Sequence, residues 1–186
     1  PRQVQLVAVS NTKPVKDIQE AYDAGQRVFG ENKIQEMTTK WEVLPKDIQW
    51  HMIGHVQRNK VKYMAEFVNL IHGVDSLKLL KEINKQAKKH ERTINCLLQI
   101  KIADEDSKFG MSASDAATLL QSDAFSELQN INVVGLMGMA TFTSNMKQVK
   151  NEFDYLKSSF EKLKTLNSNL ITISMGMSGD YELAID

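Results

Sequence analysis

The sequence INCLLQIKI, residues 94–102, decides the fold, because it is the clearest β-strand in the chain. Apolar and β-branched residues run through it, which is typical of a buried strand. Helical patterns flank it: Ser76 caps a helix that runs to about Lys89, and residues 112–115 open another. A strand between two amphipathic helices indicates an α/β protein.

The same unit, a short strand followed by an amphipathic helix, recurs along the whole chain. Predicted strands cover residues 4–10, 28–30, 48–53, 70–74, 94–102, 133–139 and 171–175. Predicted helices cover residues 15–24, 33–43, 59–67, 76–89, a segment from 112, 147–166 and a short stretch after 179. Seven alternating units predict a parallel sheet with helices outside it. Periodicity favours a barrel only slightly over an open doubly wound sheet, since a (β/α)8 barrel needs an eighth strand.

Composition excludes several classes of function. The 186 residues are 42% apolar and 25% charged, which is ordinary for one globular domain. Lys and Arg together number 23, as do Asp and Glu, so we expect neither a nucleic acid nor an anionic membrane as a partner. The chain contains no run of eighteen apolar residues, so the sequence predicts no membrane span. The single cysteine, Cys96, fits a packed hydrophobe in a reducing compartment, so we expect a cytoplasmic protein.

The segment SMGMSGD, residues 174–180, carries the most chemical information. It leaves the last predicted strand through two glycines and two serines and then enters a helix. Glycines let backbone N–H groups converge, and a helix N-terminus favours an anion, so this loop is a candidate phosphate site. A plain turn with Asp180 as helix N-cap explains the same residues about equally well.

The end of the first strand is a second candidate site. If the strand stays extended, Val9, Asn11 and Lys13 share one face, since side chains alternate. A lysine in a dry pocket could form a Schiff base with a carbonyl ligand, although most loop lysines are solvated. In the fifth strand, Gln99 and Lys101 share a face and are expected to look into the mouth of the sheet.

The histidines do not predict a metal site. His51 and His55 straddle a glycine at a strand end, and no cysteine or carboxylate cluster completes a ligand set. His72 and His90 have no partner that the sequence makes visible. We therefore expect no metal.

Six short blocks in a fixed order carry a family resemblance. They are LVAVSNTKP at 6–14, FGEN at 29–32, WHMIG at 50–54, SKFG at 107–110, GLM at 135–137 and SMGMS at 174–178. Together they span nearly the whole chain, and they resemble the YggS/PROSC family of pyridoxal 5′-phosphate-binding homeostasis proteins.

The resemblance implies a fold and a role. The fold is a (β/α)8 TIM barrel like the N-terminal domain of alanine racemase, with residues 1–186 as a single cofactor-binding domain. The family normally has an eighth strand and a leading helix, so we expect this chain to be truncated at both ends. The implied role is to hold, buffer and hand on pyridoxal 5′-phosphate (PLP), as a monomer without catalytic activity, with PLP-dependent apoenzymes as recipients.

The resemblance also assigns site residues. The family's covalent lysine falls on position 11, where this chain has Asn11. An amide nitrogen is not nucleophilic, so we expect PLP to bind without a Schiff base here. The implied cofactor-binding residues are Asn11, Lys13, Asn32, His51, Ser174, Met175, Gly176 and Ser178.

Two other functions stay open at this point. A racemase-like PLP enzyme could use Lys13, but it needs a second acid or base, and no tyrosine or cysteine sits at a predicted strand end. A barrel that has lost its ligand could instead serve to bind a partner protein.

Overall fold

The computed structural model describes residues 3–105 and 109–186, and within them one parallel sheet of seven strands organises the chain. The strands lie side by side in the order in which they occur in the sequence. They are β1 (Ala8–Val9), β2 (Val28–Glu31), β3 (Gln49–Met52), β4 (Leu70–Val74), β5 (Ile94–Gln99), β6 (Ile131–Met137) and β7 (Thr172–Ser174).

Helices follow the strands along the chain. They are α1 (Val15–Asp23), α2 (Ile34–Val43), the 3-10 helix Arg58–Tyr63, α3 (Leu77–Lys89), α4 (Ala113–Leu120), α5 (Asp123–Ser126), α6 (Met146–Lys164) and α7 (Tyr181–Ile185). Ser76 caps α3 through its hydroxyl, as predicted, and Ser112, in the segment predicted to open a helix, caps α4 in the same way. The strand–helix alternation predicted from the sequence is confirmed.

Three elements differ from prediction. The first strand covers two residues rather than seven, because it pairs only with β2, and Val4 and Leu6 before it are exposed. The segment predicted as a helix at 59–67 forms a tighter 3-10 helix, in which Lys60 N–H bonds to Gln57 and Met64 N–H to Val61. The short helix α5, which Ser122 caps, was not predicted.

The sheet is strongly curled. Strands β4 and β7 are separated by β5 and β6, so a flat sheet would hold them about 14 Å apart. Nevertheless the side chains of His72 on β4 and Ser174 on β7 are 2.8 Å apart, across the concave face. The structure is therefore a seven-stranded partial barrel over the described residues, and the α/β barrel-like fold is confirmed to that extent.

The apolar core lies between the convex face of the sheet and the helices. Phe29 and Trp50 are buried there with ring centroids 6.1 Å apart, and Ile18 and Met37 are buried with them. Cys96 is fully buried, and burial raises the pKa of its thiol far above the ordinary value. It is an inert packing residue, as predicted.

Within the described ranges, no helix combines the length and the apolar character that a bilayer crossing requires.

Candidate functional site

Three polar side chains form a hydrogen-bonded line across the concave face of the sheet, which we call the inner chain. His51 Nδ1 lies 2.9 Å from His72 Nε2, and His72 Nδ1 lies 2.8 Å from Ser174 Oγ. His51 is on β3, His72 on β4 and Ser174 at the last position of β7. The curl of the sheet is what brings these distant strands into contact.

Both histidines are neutral at physiological pH. Burial lowers the pKa of His51 to about 4, and burial together with the neighbouring His51 lowers the pKa of His72 to about 3. A neutral imidazole has one N–H donor and one lone-pair acceptor. His72 can therefore donate one of its two hydrogen bonds in the inner chain and accept the other, while His51, which takes part through Nδ1 alone, either donates or accepts there.

Glycines bring the backbone close to this line. A Cβ on Gly54 would lie 2.4 Å from the carbonyl oxygen of Asn32, and one on Gly73 would lie 2.8 Å from that of Gly54. Only glycine permits such approaches. Gln99 is buried beside Gly73 and donates to the carbonyl of Phe109, so its predicted position inside the sheet is confirmed, whereas Lys101 is exposed.

The loop after β1 turns sharply. Lys13 N–H bonds to the Ser10 carbonyl, and Thr12 adopts φ 64°, the left-handed region that β-branched residues disfavour. The extended geometry that would place Lys13 on the face of Asn11 is therefore absent, and that prediction was wrong. Asn11 is half-buried and Lys13 is exposed.

A second set of contacts, which we call the outer network, fixes this loop from the convex side. Lys40 of α2 is buried, and its Nζ donates to the Ser10 carbonyl at 2.7 Å, to Glu31 at 2.5 Å and to Glu36 at 2.8 Å. Glu36 also accepts the Thr12 N–H at 2.6 Å.

The two carboxyls of the outer network are shifted in opposite directions. Burial raises the pKa of Glu31, against the hydrogen bonds from Lys40 and Ser10. The hydrogen bond from Lys40 lowers the pKa of Glu36, helped by the Thr12 N–H. Buried charges of this kind are stable only when they are paired, so the network holds the Ser10–Thr12 turn in place.

The loop 174–178 has spare hydrogen-bonding capacity. Gly176 adopts φ 92°, and the N–H groups of Gly176, Ser178 and Gly179 bond to no acceptor among the residues described. Asp180 stands at the N-cap of α7 without a side-chain cap bond, and its carboxylate accepts the Met177 N–H at 2.5 Å. Because α7 is five residues long, it adds little helix dipole, and the loop amides and Ser174 are the donors that matter.

Several residues that the sequence predicted for the site are brought together. Asn11 and Asn32 follow the neighbouring strands β1 and β2, which pair in register at Val9 and Gly30. His51 joins Ser174 through the inner chain, and Met175 packs against the core beside the loop. Lys13 is not brought in, and Ser107 and Lys108 lie outside the described residues.

His72 is the functional candidate that the sequence did not reveal. The signal available was a histidine in an apolar strand next to another strand with a histidine at its centre. His55 points elsewhere: it stacks on Phe109 at 3.9 Å and lies 3.9 Å from Asp75. The searched part of the chain, 3–105 and 109–186, contains no group of three or more potential metal ligands.

Comparison with known proteins agrees with the fold. The model of the family "Alanine racemase, N-terminal domain" matches residues 10–186. The curled sheet and this match define the class, an alanine racemase N-terminal-type domain.

The pyridoxal phosphate homeostasis protein of Vibrio alginolyticus is 36% identical over 191 residues, which cover 100% of this chain and 81% of that protein. Its Escherichia coli K12 counterpart is 36% identical over 189 residues, covering 100% and 80%. The chain belongs to the family of pyridoxal phosphate homeostasis proteins.

Solved structures give the same result. PipY of Synechococcus elongatus PCC7942 without PLP superimposes with a TM-score of 0.90 at 35% identity, covering 98% of this chain and 86% of PipY. The PLP-bound form of PipY gives 0.88 at 34% identity, covering 100% and 87%. Alanine racemase of Clostridium difficile 630, at 11% identity and a TM-score of 0.76 over 97% of this chain and 50% of that one, shares the fold alone.

Proposed function

We propose that this protein binds PLP at the carboxyl ends of its strands, without a covalent bond, and buffers it for PLP-dependent apoenzymes. The observation that carries the proposal is the inner chain, which delivers the Ser174 hydroxyl to the start of a loop with unused N–H groups. The PLP-bound structure of PipY, at 34% identity over the full chain, supports the choice of ligand.

The residues at this rim suit the parts of PLP. A phosphate is well served by hydroxyl and backbone N–H donors, which Ser174, Gly176 and Ser178 supply. The amides of Asn11 and Asn32, at the ends of adjacent strands, would face the ring and its substituents. When bound, PLP supplies an electrophilic aldehyde, and the question is which group of this chain could attack it.

Among the residues that the structure describes, neither Lys13 nor Lys40 is placed to do so. Position 11 holds an amide in place of the lysine that the family resemblance implies, and an amide nitrogen is not a nucleophile. Lys40 is buried behind Ser10, but its ammonium donates three hydrogen bonds, which leaves no lone pair for attack. Lys13 is exposed on the turn. These facts favour a carrier over a racemase-like enzyme.

We also propose a compartment, a mode of cofactor release and an oligomeric state for this protein. A single buried thiol suits a reducing compartment such as the cytoplasm. Release to an apoenzyme is easier when no covalent bond has to be broken first, so Asn11 suits a carrier that exchanges its cargo quickly. We propose that the protein acts as a monomer in this role.

Restoring the nucleophile tests the proposal. The protein and its Asn11→Lys variant are mixed with PLP, reduced with borohydride and examined by intact mass and peptide mapping. We expect no covalent adduct on the parent and one adduct at position 11 of the variant. Lys13→Ala, made in both backgrounds, is the control and should change neither result. An adduct on Lys13 of the parent would contradict the non-covalent assignment.

A further inference from the structure

The inner chain has only two possible arrangements of its protons. With both rings neutral, the hydrogen bonds run either from Ser174 toward His51 or from His51 toward Ser174. In the first arrangement Ser174 donates its only proton to His72 Nδ1. In the second, His72 Nδ1–H donates to Ser174 Oγ, and the hydroxyl proton is free for another acceptor.

An anion at the loop would select the second arrangement. A phosphate oxygen can only accept hydrogen bonds, so Ser174 must donate to it. Its oxygen then accepts from His72 Nδ1–H, which leaves His72 Nε2 as a lone pair. That lone pair must accept from His51 Nδ1–H, 2.9 Å away, because two facing lone pairs at this distance would repel each other.

We propose that His72 is a positioning residue whose Nδ1–H holds Ser174 as a hydrogen-bond donor toward a bound phosphate, with His51 fixing the tautomer of His72. This inference rests on the proposed function. His72 acts through Ser174 and does not itself contact the ligand. The two buried, neutral histidines thus orient the Ser174 hydroxyl as a hydrogen-bond donor toward an anion.

Burial makes this support selective. Low exposure of both rings keeps them uncharged, so neither contributes a positive charge that would attract any anion. The free energy of anion binding comes instead from the Ser174 hydroxyl, which is held in one direction. A ligand gains it only when an acceptor atom lies in that direction. A phosphate ester that is anchored elsewhere by its ring meets this requirement better than a free ion.

Nitrogen NMR reads the arrangement directly. Imidazole ¹⁵N shifts and couplings distinguish the Nδ1–H tautomer, the Nε2–H tautomer and the charged ring. The protein labelled at histidine is titrated with PLP and, separately, with inorganic phosphate, with His51→Asn and His72→Asn spectra used for assignment. We expect His51 and His72 both to be Nδ1–H in the PLP complex, and His90, which is exposed, to be unchanged.

A pair of amide variants separates the two contacts of His72. In His72→Asn the amide sits where Nδ1 was, so it can still donate to Ser174 but cannot reach His51. In His72→Gln the amide lies one bond further, where it can meet His51 but not Ser174. We expect PLP affinity within about threefold of the parent for the first variant and about tenfold weaker for the second. A purely structural role of His72 predicts the same loss for both.

Each outcome has one reading. PLP binding with His72 as Nε2–H or charged, or with equal affinities of the two variants, overturns the inference and leaves the proposed function standing. The tautomer change with inorganic phosphate but no response to PLP supports the inference and contradicts the proposed function. No response to either ligand overturns both.

Discussion

The two faces of the sheet handle buried polar groups in opposite ways. On the convex side, the outer network buries full charges. All three ammonium protons of Lys40 are donated, to Glu31, Glu36 and the Ser10 carbonyl. On the concave side, the inner chain buries only neutral groups, and its end at Ser174 can still change partners. Fixed charge holds the scaffold, while uncharged groups with a choice of hydrogen-bond direction serve the ligand. Variants of the two sets of contacts test that contrast.

The largest expected effect comes from breaking the outer network. Lys40→Met leaves Glu31 buried beside Ser10 without its cation, and Glu31 Oε2 already has no hydrogen-bond partner among the described residues. We expect the free energy of unfolding in urea to fall by about 3–5 kcal/mol.

The matched control for this variant is Lys150→Met, which breaks the exposed pair with Asp154 and should change little. Adding Glu31→Gln to Lys40→Met removes the stranded charge and should recover part of the loss. A Lys40→Met protein as stable as the parent would show that the outer network does not hold the scaffold.

Acid should destabilise the protein through the inner chain. The folded pKa values of His51 and His72, about 4 and about 3, lie below the ordinary 6.5, so the unfolded chain binds more protons between these values. Stability from this source is complete above about pH 6.5 and declines as the pH falls, by up to about 1.4 kcal/mol per pH unit for each histidine.

Urea unfolding measured across this range checks the sign and the source. His72→Asn removes one of the titrating rings and should flatten the slope, and His51→Asn should flatten it in the same way. A slope of opposite sign between pH 6.5 and 4, or one that His72→Asn leaves intact, would contradict the neutral state of the inner chain.

A smaller effect is expected where the glycines let strands approach. Gly54→Ala would place a methyl group 2.4 Å from the backbone oxygen of Asn32, so the ends of β2 and β3 must separate. We expect a loss of about 1–3 kcal/mol in unfolding free energy and weaker PLP binding through the displaced Asn32. Gly179→Ala, whose added methyl group would meet none of the described residues within 4 Å, is the stability control and should not lose stability.

The smallest expected effect concerns the loop that carries Asn11. Glu36→Gln weakens the acceptor of the Thr12 N–H and reduces the charge that faces Lys40. We expect a loss of about 1 kcal/mol in stability and faster hydrogen exchange at the Thr12 amide. Glu20→Gln, in the exposed pair with Lys16, should alter neither. Unchanged exchange at Thr12 would show that the turn holds itself without Glu36.

The sequence predicted what depends on local pattern. Strand–helix alternation, the Ser76 cap, the start of a helix at 112–115 and the inward position of Gln99 all follow from spacing along the chain. The curl of the sheet is not local, and therefore the contact between His72 and Ser174, 102 positions apart, was not predicted. Lys13 was misplaced for a local reason, because alternation was extended past Val9 into a turn that the outer network bends.

Calorimetric titration of PLP tests the central claim most directly, with the parent protein compared with Ser174→Ala. The account predicts saturable binding at one site per chain, about tenfold weaker when the Ser174 hydroxyl is removed, and no covalent adduct after borohydride in the parent. Absence of saturable heat with the parent, or equal affinity of the two proteins, would contradict it.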